Sequence, residues 1–341
     1  MIYPKIPLAQ SVIEICKAKG IQHIIISPGS RNAPLTIGFT NNPYFTCYSI
    51  ADERCAAFFA MGIAQQIQKP VAVVCTSGSA VLNYYPAVAE AFYSQIPLVI
   101  LSADRPQNKI DIGDGQTIRQ ENVFANHILF SANLIELASK ENDIFINQAI
   151  NSAIENRGPV HINIPFEEPL YDTVGTLEVT PEIIPMNELL NEFTLEENFI
   201  SQWNQTKKKL ILVGELFPNT LENEIIQKLG EDESIVVLTE ATSNLHHFNF
   251  ITNIDSLITP FTTEDFEAFQ PEILVTFGGM VVSKRIKAFL RKFQPKYHWH
   301  IDSLRAYDTF GCLTQHFKTH PNLFFNQLLI GNTSSDYQNQ F

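Results

Sequence analysis

Four short segments bring together side chains suited to acid–base or anion chemistry, and each stands where a β-branched run gives way to a helical pattern. Ser27-Pro28-Gly29-Ser30-Arg31-Asn32 offers two small hydroxyl or amide donors around a glycine, with Arg31 as a planar fork for a carboxylate or phosphate. A plain Ser/Asn helix cap explains the same residues. Ala51-Asp52-Glu53-Arg54 enters the unusually apolar run Cys55-Ala56-Ala57-Phe58-Phe59-Ala60-Met61-Gly62. Asp52 is a good N-cap and acidic residues favour a first turn, but capping uses one carboxylate. Glu53 is then free to point into a poorly solvated cleft, where a carboxyl suits proton traffic. Cys75-Thr76-Ser77-Gly78-Ser79-Ala80 looks like an anion cradle, without the Lys of a Walker loop or the spacing of a nucleophile elbow, which disfavours a serine hydrolase. Ser102-Ala103-Asp104-Arg105-Pro106 leads into the irregular Ile112–Gln120, where Arg105 and Gln116 are candidates to face a ligand. The plainer alternative pairs Asp104 with Arg105 on the surface.

The elements that would position these segments are strands separated by helices. Strands are predicted at Ile24–Ser27, Cys47–Ile50, Val71–Cys75, Leu98–Leu101 and Val160–Ile164. Helices are predicted near Gln10–Lys19 and at Asn32–Phe39, Glu53–Gln66, Ala80–Tyr93 and Asp143–Asn156. Near-continuous apolar strands alternating with helices imply a doubly wound parallel sheet covered on both faces, where ligands gather beyond the carboxyl ends of the strands. The chain turns acidic and proline-bearing after Asp172, as an exposed connection does. A second alternation follows, with strands Leu210–Val213, Ile235–Leu238, Ile273–Phe277 and Trp299–Asp302 and helices near Leu221–Leu229 and Lys284–Phe293. The expected fold class is α/β, with two doubly wound parallel-sheet domains at 1–175 and 198–341 joined by a linker at 176–197.

The chain has 341 residues, enough for two domains at about 150 residues each. Lys plus Arg number 23 against 36 Asp plus Glu, a net charge of −13, which argues against nucleic acid or an anionic membrane surface as partner. Cys16, Cys47, Cys55, Cys75 and Cys312 are scattered and odd in number, as reduced thiols of a cytoplasmic protein are, with no disulfide framework. No stretch approaches the roughly 18 unbroken apolar residues of a membrane span. His246 and His247 are adjacent in a loop-like stretch, and His298 and His300 flank Trp299, with no metal-binding spacing, so they read as structural or exposed. Phe277-Gly278-Gly279-Met280 is only faintly like a dinucleotide turn.

Taken in order, SPGSRNAPL (Ser27–Leu35), DERCAAFFAMGIA (Asp52–Ala64), TSGSAVLNYYPAVAEA (Thr76–Ala91), LSADRP (Leu101–Pro106), GQTIRQ (Gly115–Gln120) and GPVHINIPFEEPL (Gly158–Leu170) resemble the pyrimidine-binding domain of the thiamine-diphosphate enzymes. SPGSRNAPL with ADRP and GQTIRQ is similar to the menaquinone-pathway branch of that family, and unlike acetolactate synthases and pyruvate decarboxylases. The second domain resembles the family's central domain more diffusely, through strand placement and YHWHID (Tyr297–Asp302). The resemblance implies decarboxylation of 2-oxoglutarate on thiamine diphosphate, with Mg2+ or Mn2+, and addition of the succinyl-semialdehyde unit to isochorismate. It implies that Glu53 hydrogen-bonds the aminopyrimidine, that Thr76, Ser77 and Gly78 pack near the pyrimidine, and that Ser30, Arg31, Arg105 and Gln116 contact substrate or intermediate. It also implies a cytoplasmic homodimer or homotetramer.

The family carries diphosphate and metal on a third domain, signed by Gly-Asp-Gly with an Asn about one helix later. Gly113-Asp114-Gly115 and Asn142 do not fit that role. No strand precedes the glycines, and Asn142 reads as an N-cap. The chain is therefore expected to be an N-terminal two-domain portion, inactive alone, with an apolar face left for self-association. Two other readings stay open: a thiamine-dependent carboligase or decarboxylase of another 2-oxo acid, and a non-catalytic binding module. A nicotinamide or flavin enzyme rests on fold analogy alone. These 341 residues alone are expected not to bind thiamine diphosphate tightly, and sub-micromolar binding in calorimetry with magnesium would refute this.

Overall fold

Runs of β-branched and aliphatic residues without a polar interruption become central strands, because both of their faces can be buried. The computed structural model describes residues 1–186, 192–329 and 334–341. The chain divides into two compact units, Met1–Glu188 and Leu189–Phe341.

In the first unit the elements follow in the order β1 (Tyr3–Pro4), α1 (Pro7–Ala18), β2 (His23–Ile26), α2 (Ala33–Thr40), β3 (Thr46–Ser49), α3 (Glu53–Ile67) and β4 (Val71–Cys75). After a 3-10 segment at Gly78–Tyr84 come α4 (Tyr85–Tyr93), β5 (Leu98–Asp104), β6 (Phe130–Asn133), α5 (Lys140–Glu155), β7 (Val160–Pro165) and β8 (Thr173–Val174). Six strands form one parallel sheet in the order β3-β2-β4-β5-β7-β6, and β1 pairs with β8 apart from it. Alternate residues of β4 face opposite ways. Ala72 and Val74 meet Leu8, Val12, Phe39 and Ile150 from α1, α2 and α5, while Val71, Val73 and Cys75 meet Ala57, Ala60, Val88 and Ala91 from α3 and α4. The unit is doubly wound, so the carboxyl ends of β2, β4, β5 and β7 share one edge.

Several local readings change. The opening helix begins at Pro7, whose missing N–H costs nothing at the first helical turn. The segment expected as one helix from Ala80 to Tyr93 is a 3-10 turn up to Tyr84, then α4. Pro86 cannot donate in the first turn of α4, and the Tyr85 N–H bonds Leu82 O instead. Asn142 is not an N-cap. Ser139 is, accepting the Asn142 N–H at 3.2 Å, while the Asn142 side chain bonds both backbone groups of Ile135 and the Leu137 carbonyl. Edge strand β6, in which only Ala132 is buried, lacks the apolar run that would betray it. Of the stretch 176–197, the part up to Pro185 is strapped to the first unit. The Glu178, Glu182 and Ile184 N–H groups donate to Gln10, Asp143 and Asn147. Residues 187–191 of that stretch lie outside the described residues.

The second unit contains α6 (Glu197–Gln205), β9 (Lys209–Val213), α7 (Asn223–Glu231), β10 (Ile235–Leu238), α8 (Ile254–Ile258), α9 (Thr263–Phe269) and β11 (Ile273–Phe277). It continues through α10 (Lys284–Lys292), β12 (Tyr297–Ile301), β13 (Gln315–Phe317) and α11 (Pro321–Leu328). Its sheet is parallel in the order β10-β9-β11-β12-β13, with apolar clusters on both faces. The order reverses between β9 and β11, the usual ligand crevice of such sheets. Here the two strand-end loops are joined directly, the Gly279 N–H donating to Glu215 O at 2.7 Å.

Each unit holds an imidazole kept neutral by burial. His161 on β7 is pushed down to about 3 by desolvation, and His298 on β12 to about 4 by desolvation and then by the neighbouring His300. Unfolded, both titrate near 6.5. A depressed folded value means that the stabilisation is complete above the unfolded value and is lost as pH falls toward the folded one. Between pH 7 and 5.5 each imidazole is expected to remove about 1 kcal/mol of stability. Urea midpoints read across that range check this, and a His161→Leu variant should show a shallower acid branch.

Candidate active site

Glu53 is placed by a division of labour at the start of α3. Asp52 stands at the N-cap and its Oδ1 accepts the Cys55 N–H at 3.0 Å, which also draws the Asp52 carboxyl below its usual range. Glu53, half-buried, is engaged by no hydrogen bond or ion pair among the described residues. Its charge is felt by two neutral groups, Cys75 at the end of β4 and Tyr84 at the end of the 3-10 segment. Burial first, and Glu53 in smaller part, push the Cys75 thiol and the Tyr84 phenol upward. The Cys75 thiol and the Tyr84 phenol, both buried, therefore stay undissociated within range of that charge.

The loops beyond β2, β4 and β5 touch one another. A Cβ on Gly29 would come within 2.4 Å of the Thr76 side chain, so the β2 and β4 loops pass as close as glycine permits. Gly78 adopts φ +84°, and a Cβ there would also press on the backbone carbonyl of Gln116 at 3.1 Å. Gln116 itself is exposed with φ +54°. Thr76 is half-buried, Ser77 and Gly78 are buried, and Ser30 is exposed. Asn32 turns inward, its Nδ2 donating to Ser27 O at 3.0 Å.

The two arginines reach the same edge but are paired. Arg31 is buried, its Nη1 donating to Phe166 O at 2.9 Å and its Nη2 to Glu168 Oε1 at 3.1 Å. Arg105 holds Asp114 Oδ2 at 3.2 Å through Nη1. Asp104 does not pair with the Arg105 guanidinium on the surface. It is buried, its Oδ1 accepts the Arg105 backbone N–H at 2.8 Å, and its Oδ2 accepts Asn163 Nδ2 at 2.8 Å. Burial raises its carboxyl above the usual range, against the pull of Asn163, the Arg105 N–H and Arg31. Arg119 is exposed and paired with Asp111 at 2.7 Å.

Behind these groups runs a buried polar chain that the sequence reading did not single out. Gln120 Oε1 accepts the Gly78 N–H at 2.7 Å, and its Nε2 donates to Ala103 O at 3.1 Å and Asn163 Oδ1 at 2.9 Å. Ser102 Oγ lies 2.9 Å from Asn163 Oδ1 and 2.7 Å from His161 Nε2. An amide oxygen carries no proton, so the Ser102 hydroxyl donates to Asn163, and His161 must then donate from Nε2. The detectable signal was a polar residue at every second position of two apolar strands. Ser102 and Asp104 lie on β5, His161 and Asn163 on β7, with Ser102 and Asn163 direct partners in register. Among the described residues no group of three or more His, Cys, Asp or Glu is placed to hold a metal ion. A Gln120→Leu variant, which orphans the Gly78 donor and its buried neighbours, is expected to lose about 2–4 kcal/mol of stability; chemical denaturation checks this against a Gln116→Ala control that stays within about 0.5 kcal/mol.

Residues 6–127 match the family described as thiamine pyrophosphate enzyme, N-terminal TPP binding domain, and residues 186–329 match the middle domain of thiamine pyrophosphate enzymes. The chain is 67% identical over 339 residues to a Flavobacterium psychrophilum protein named 2-succinyl-5-enolpyruvyl-6-hydroxy-3-cyclohexene-1-carboxylate synthase, covering 99% of this chain and 62% of that protein. It is 68% identical over 332 residues to the protein of the same name from Flavobacterium johnsoniae (96% and 60% covered) and 38% identical over 337 residues to that from Phocaeicola vulgatus (96% and 60% covered). The chain thus spans about three fifths of the length of the curated relatives it matches. It belongs to the thiamine pyrophosphate enzyme family and carries that family's N-terminal and middle domains.

Proposed function

We propose that the protein is a thiamine-diphosphate-dependent carboligase that decarboxylates 2-oxoglutarate and transfers the remaining four-carbon unit to isochorismate, the reaction of menaquinone biosynthesis. The observation that carries this reading is Glu53. It is a carboxylate relieved of capping by Asp52, its charge felt by neutral Cys75 and Tyr84, with no partner of its own among the described residues. That placement fits a hydrogen bond to an aminopyrimidine ring. Thiamine diphosphate, when bound, would supply the electron sink for loss of carbon dioxide from a 2-oxo acid.

The other roles follow from what each group offers. Thr76, Ser77 and Gly78, on the loop after β4, would pack near the pyrimidine, Gly78 kept in its turn by Gln120. Arg31 and Arg105 supply forked cations for substrate carboxylates, and Ser30 and Gln116 are exposed polar groups on the loops beside them. Mg2+ or Mn2+ would accompany the diphosphate, and none of the described residues is assigned to it. Phe58 and Phe59, both more than two-fifths exposed on α3 between one and two turns beyond Glu53, fit burial against a second copy, as a homodimer or homotetramer requires. A cytoplasmic setting, without membrane or nucleic acid as partner, accords with the acidic balance; no helix among the described residues is long and apolar enough to cross a membrane.

The protein at its full natural length, given thiamine diphosphate and magnesium, is expected to consume 2-oxoglutarate only with isochorismate present and to leave pyruvate untouched. Glu53→Gln is expected to lower kcat by about 10²- to 10⁴-fold at an unchanged unfolding midpoint. Equal turnover of pyruvate, or an active Glu53→Gln protein, would overturn the reading.

A further inference from the structure

Three cations at the carboxyl edge of the first sheet already hold carboxylates of the same chain. Arg31 pairs with Glu168 at 3.1 Å, Arg105 with Asp114 at 3.2 Å and Lys109 with Glu167 at 2.7 Å. The two arginine pairs are lopsided. The Arg31 and Arg105 side chains are 5% and 18% exposed, whereas Glu168 and Asp114 are 66% and 37% exposed. The cations are fixed from behind, Arg31 by the Phe166 carbonyl and the Arg105 backbone by Asp104, itself anchored through Asn163. The acids stand on irregular segments: Asp114 lies between Gly113 at φ +89° and Gln116 at φ +54°, and Glu168 follows the end of β7. The Arg105 fork is also incompletely used, since its Nε is buried with no hydrogen-bond partner among the described residues.

We propose that Asp114 and Glu168 are resident counter-ions, occupying the arginine forks that the carboxylates of a small di- or tricarboxylate take, so that binding proceeds by exchange of one carboxylate for another. A guanidinium this far from water is costly without an anion, and the resident acid keeps the empty site neutral. An incoming carboxylate that also reaches the Arg105 Nε–H satisfies a donor that Asp114 leaves orphaned. A ligand with two carboxylates displaces both acids for a single loss of translational freedom, while simple anions must compete for one fork at a time, so the arrangement selects for multiple carboxylates. The inference rests on reading Arg31 and Arg105 as carboxylate contacts.

The test is calorimetric titration of succinate, with acetate as the single-carboxylate comparison, into the protein at its full natural length at low ionic strength. Asp114→Asn keeps the oxygen that accepts the Gly115 N–H, and Glu168→Gln keeps the side-chain shape. Each is expected to bind succinate about three- to tenfold more tightly than the unaltered protein, the double variant more tightly still, with a smaller gain for acetate and a loss of the difference in high salt. Unchanged or weaker binding by both variants, with Arg105→Gln weaker, overturns the counter-ion role and leaves the carboxylate reading standing. Unchanged binding by Arg105→Gln overturns the carboxylate reading itself. No detectable succinate binding by any of these proteins overturns both.

Discussion

One side-chain amide, that of Gln120, sets the geometry on which the rest of the site depends. Its oxygen takes the N–H of Gly78 in the turn after β4, and its nitrogen binds the end of β5 through Ala103 O and the face of β7 through Asn163. The polarity of this amide is dictated by its partners, because a backbone N–H needs an acceptor and a backbone carbonyl needs a donor. A carboxylate in its place would confront two oxygens, and an aliphatic side chain would leave buried groups without partners. The parallel sheet brings the strand ends to one edge, but sheet pairing stops where the strands stop. Side-chain bonds of this kind hold the loops beyond that edge against one another.

The network also explains why charged groups can sit at this edge without disordering it. Asp104 is buried beside Arg31 and Arg105, yet each of its oxygens has a donor, Asn163 for one and the Arg105 backbone for the other. Asn163 in turn is fixed by Gln120 and Ser102, and Ser102 by a neutral His161. Donation runs from the imidazole through Ser102 and Asn163 to Asp104, where it meets the Arg105 N–H donating from the other side, so the chain converges on that carboxylate. A fully satisfied buried network rigidifies its surroundings, whereas a partly satisfied one is a liability. The orphan left over is His161 Nδ1, whose isolation agrees with the depressed basicity of that ring.

Much of the architecture was legible in the sequence because buried parallel strands announce themselves. Val71–Cys75 and Ile235–Leu238 are continuous apolar runs and Ile273–Phe277 is broken only by the β-branched Thr276, and their observed limits coincide with the predicted ones. The elements that escaped carry weaker signals. Strand β6 buries one residue of four, α9 is a short acidic helix, and β13 is a three-residue edge strand containing a histidine. The site was legible as loops and residue types. Three of the four candidate segments lie between a strand and a helix or 3-10 turn that follows it, while Ser102–Pro106 begins inside β5 and runs on toward strand β6. Which partner each polar group chose was not. Arg31 turns inward to Phe166 and Glu168, which follow it by more than 130 residues, and nothing near Arg31 in the sequence encodes that contact. The buried polar chain was hidden for a related reason: a Ser or Asn within an apolar strand gains meaning only when its cross-strand neighbour is known.

The adjacent pair Asp52 and Glu53 shows how position separates two carboxylates that composition cannot. The shorter side chain, at the N-cap, reaches back to an orphan backbone N–H and spends its charge there. The longer one, a residue later, has begun the helix and lies too far round the first turn to share that task. Its charge instead falls across Cys75 and Tyr84, groups too deeply buried to ionise in answer. A carboxylate so placed has neither a cation nor a backbone donor to quench it among the described residues, and its free hydrogen-bonding capacity is available to a ligand. The start of the helix therefore serves Glu53 by delegating the capping to its neighbour.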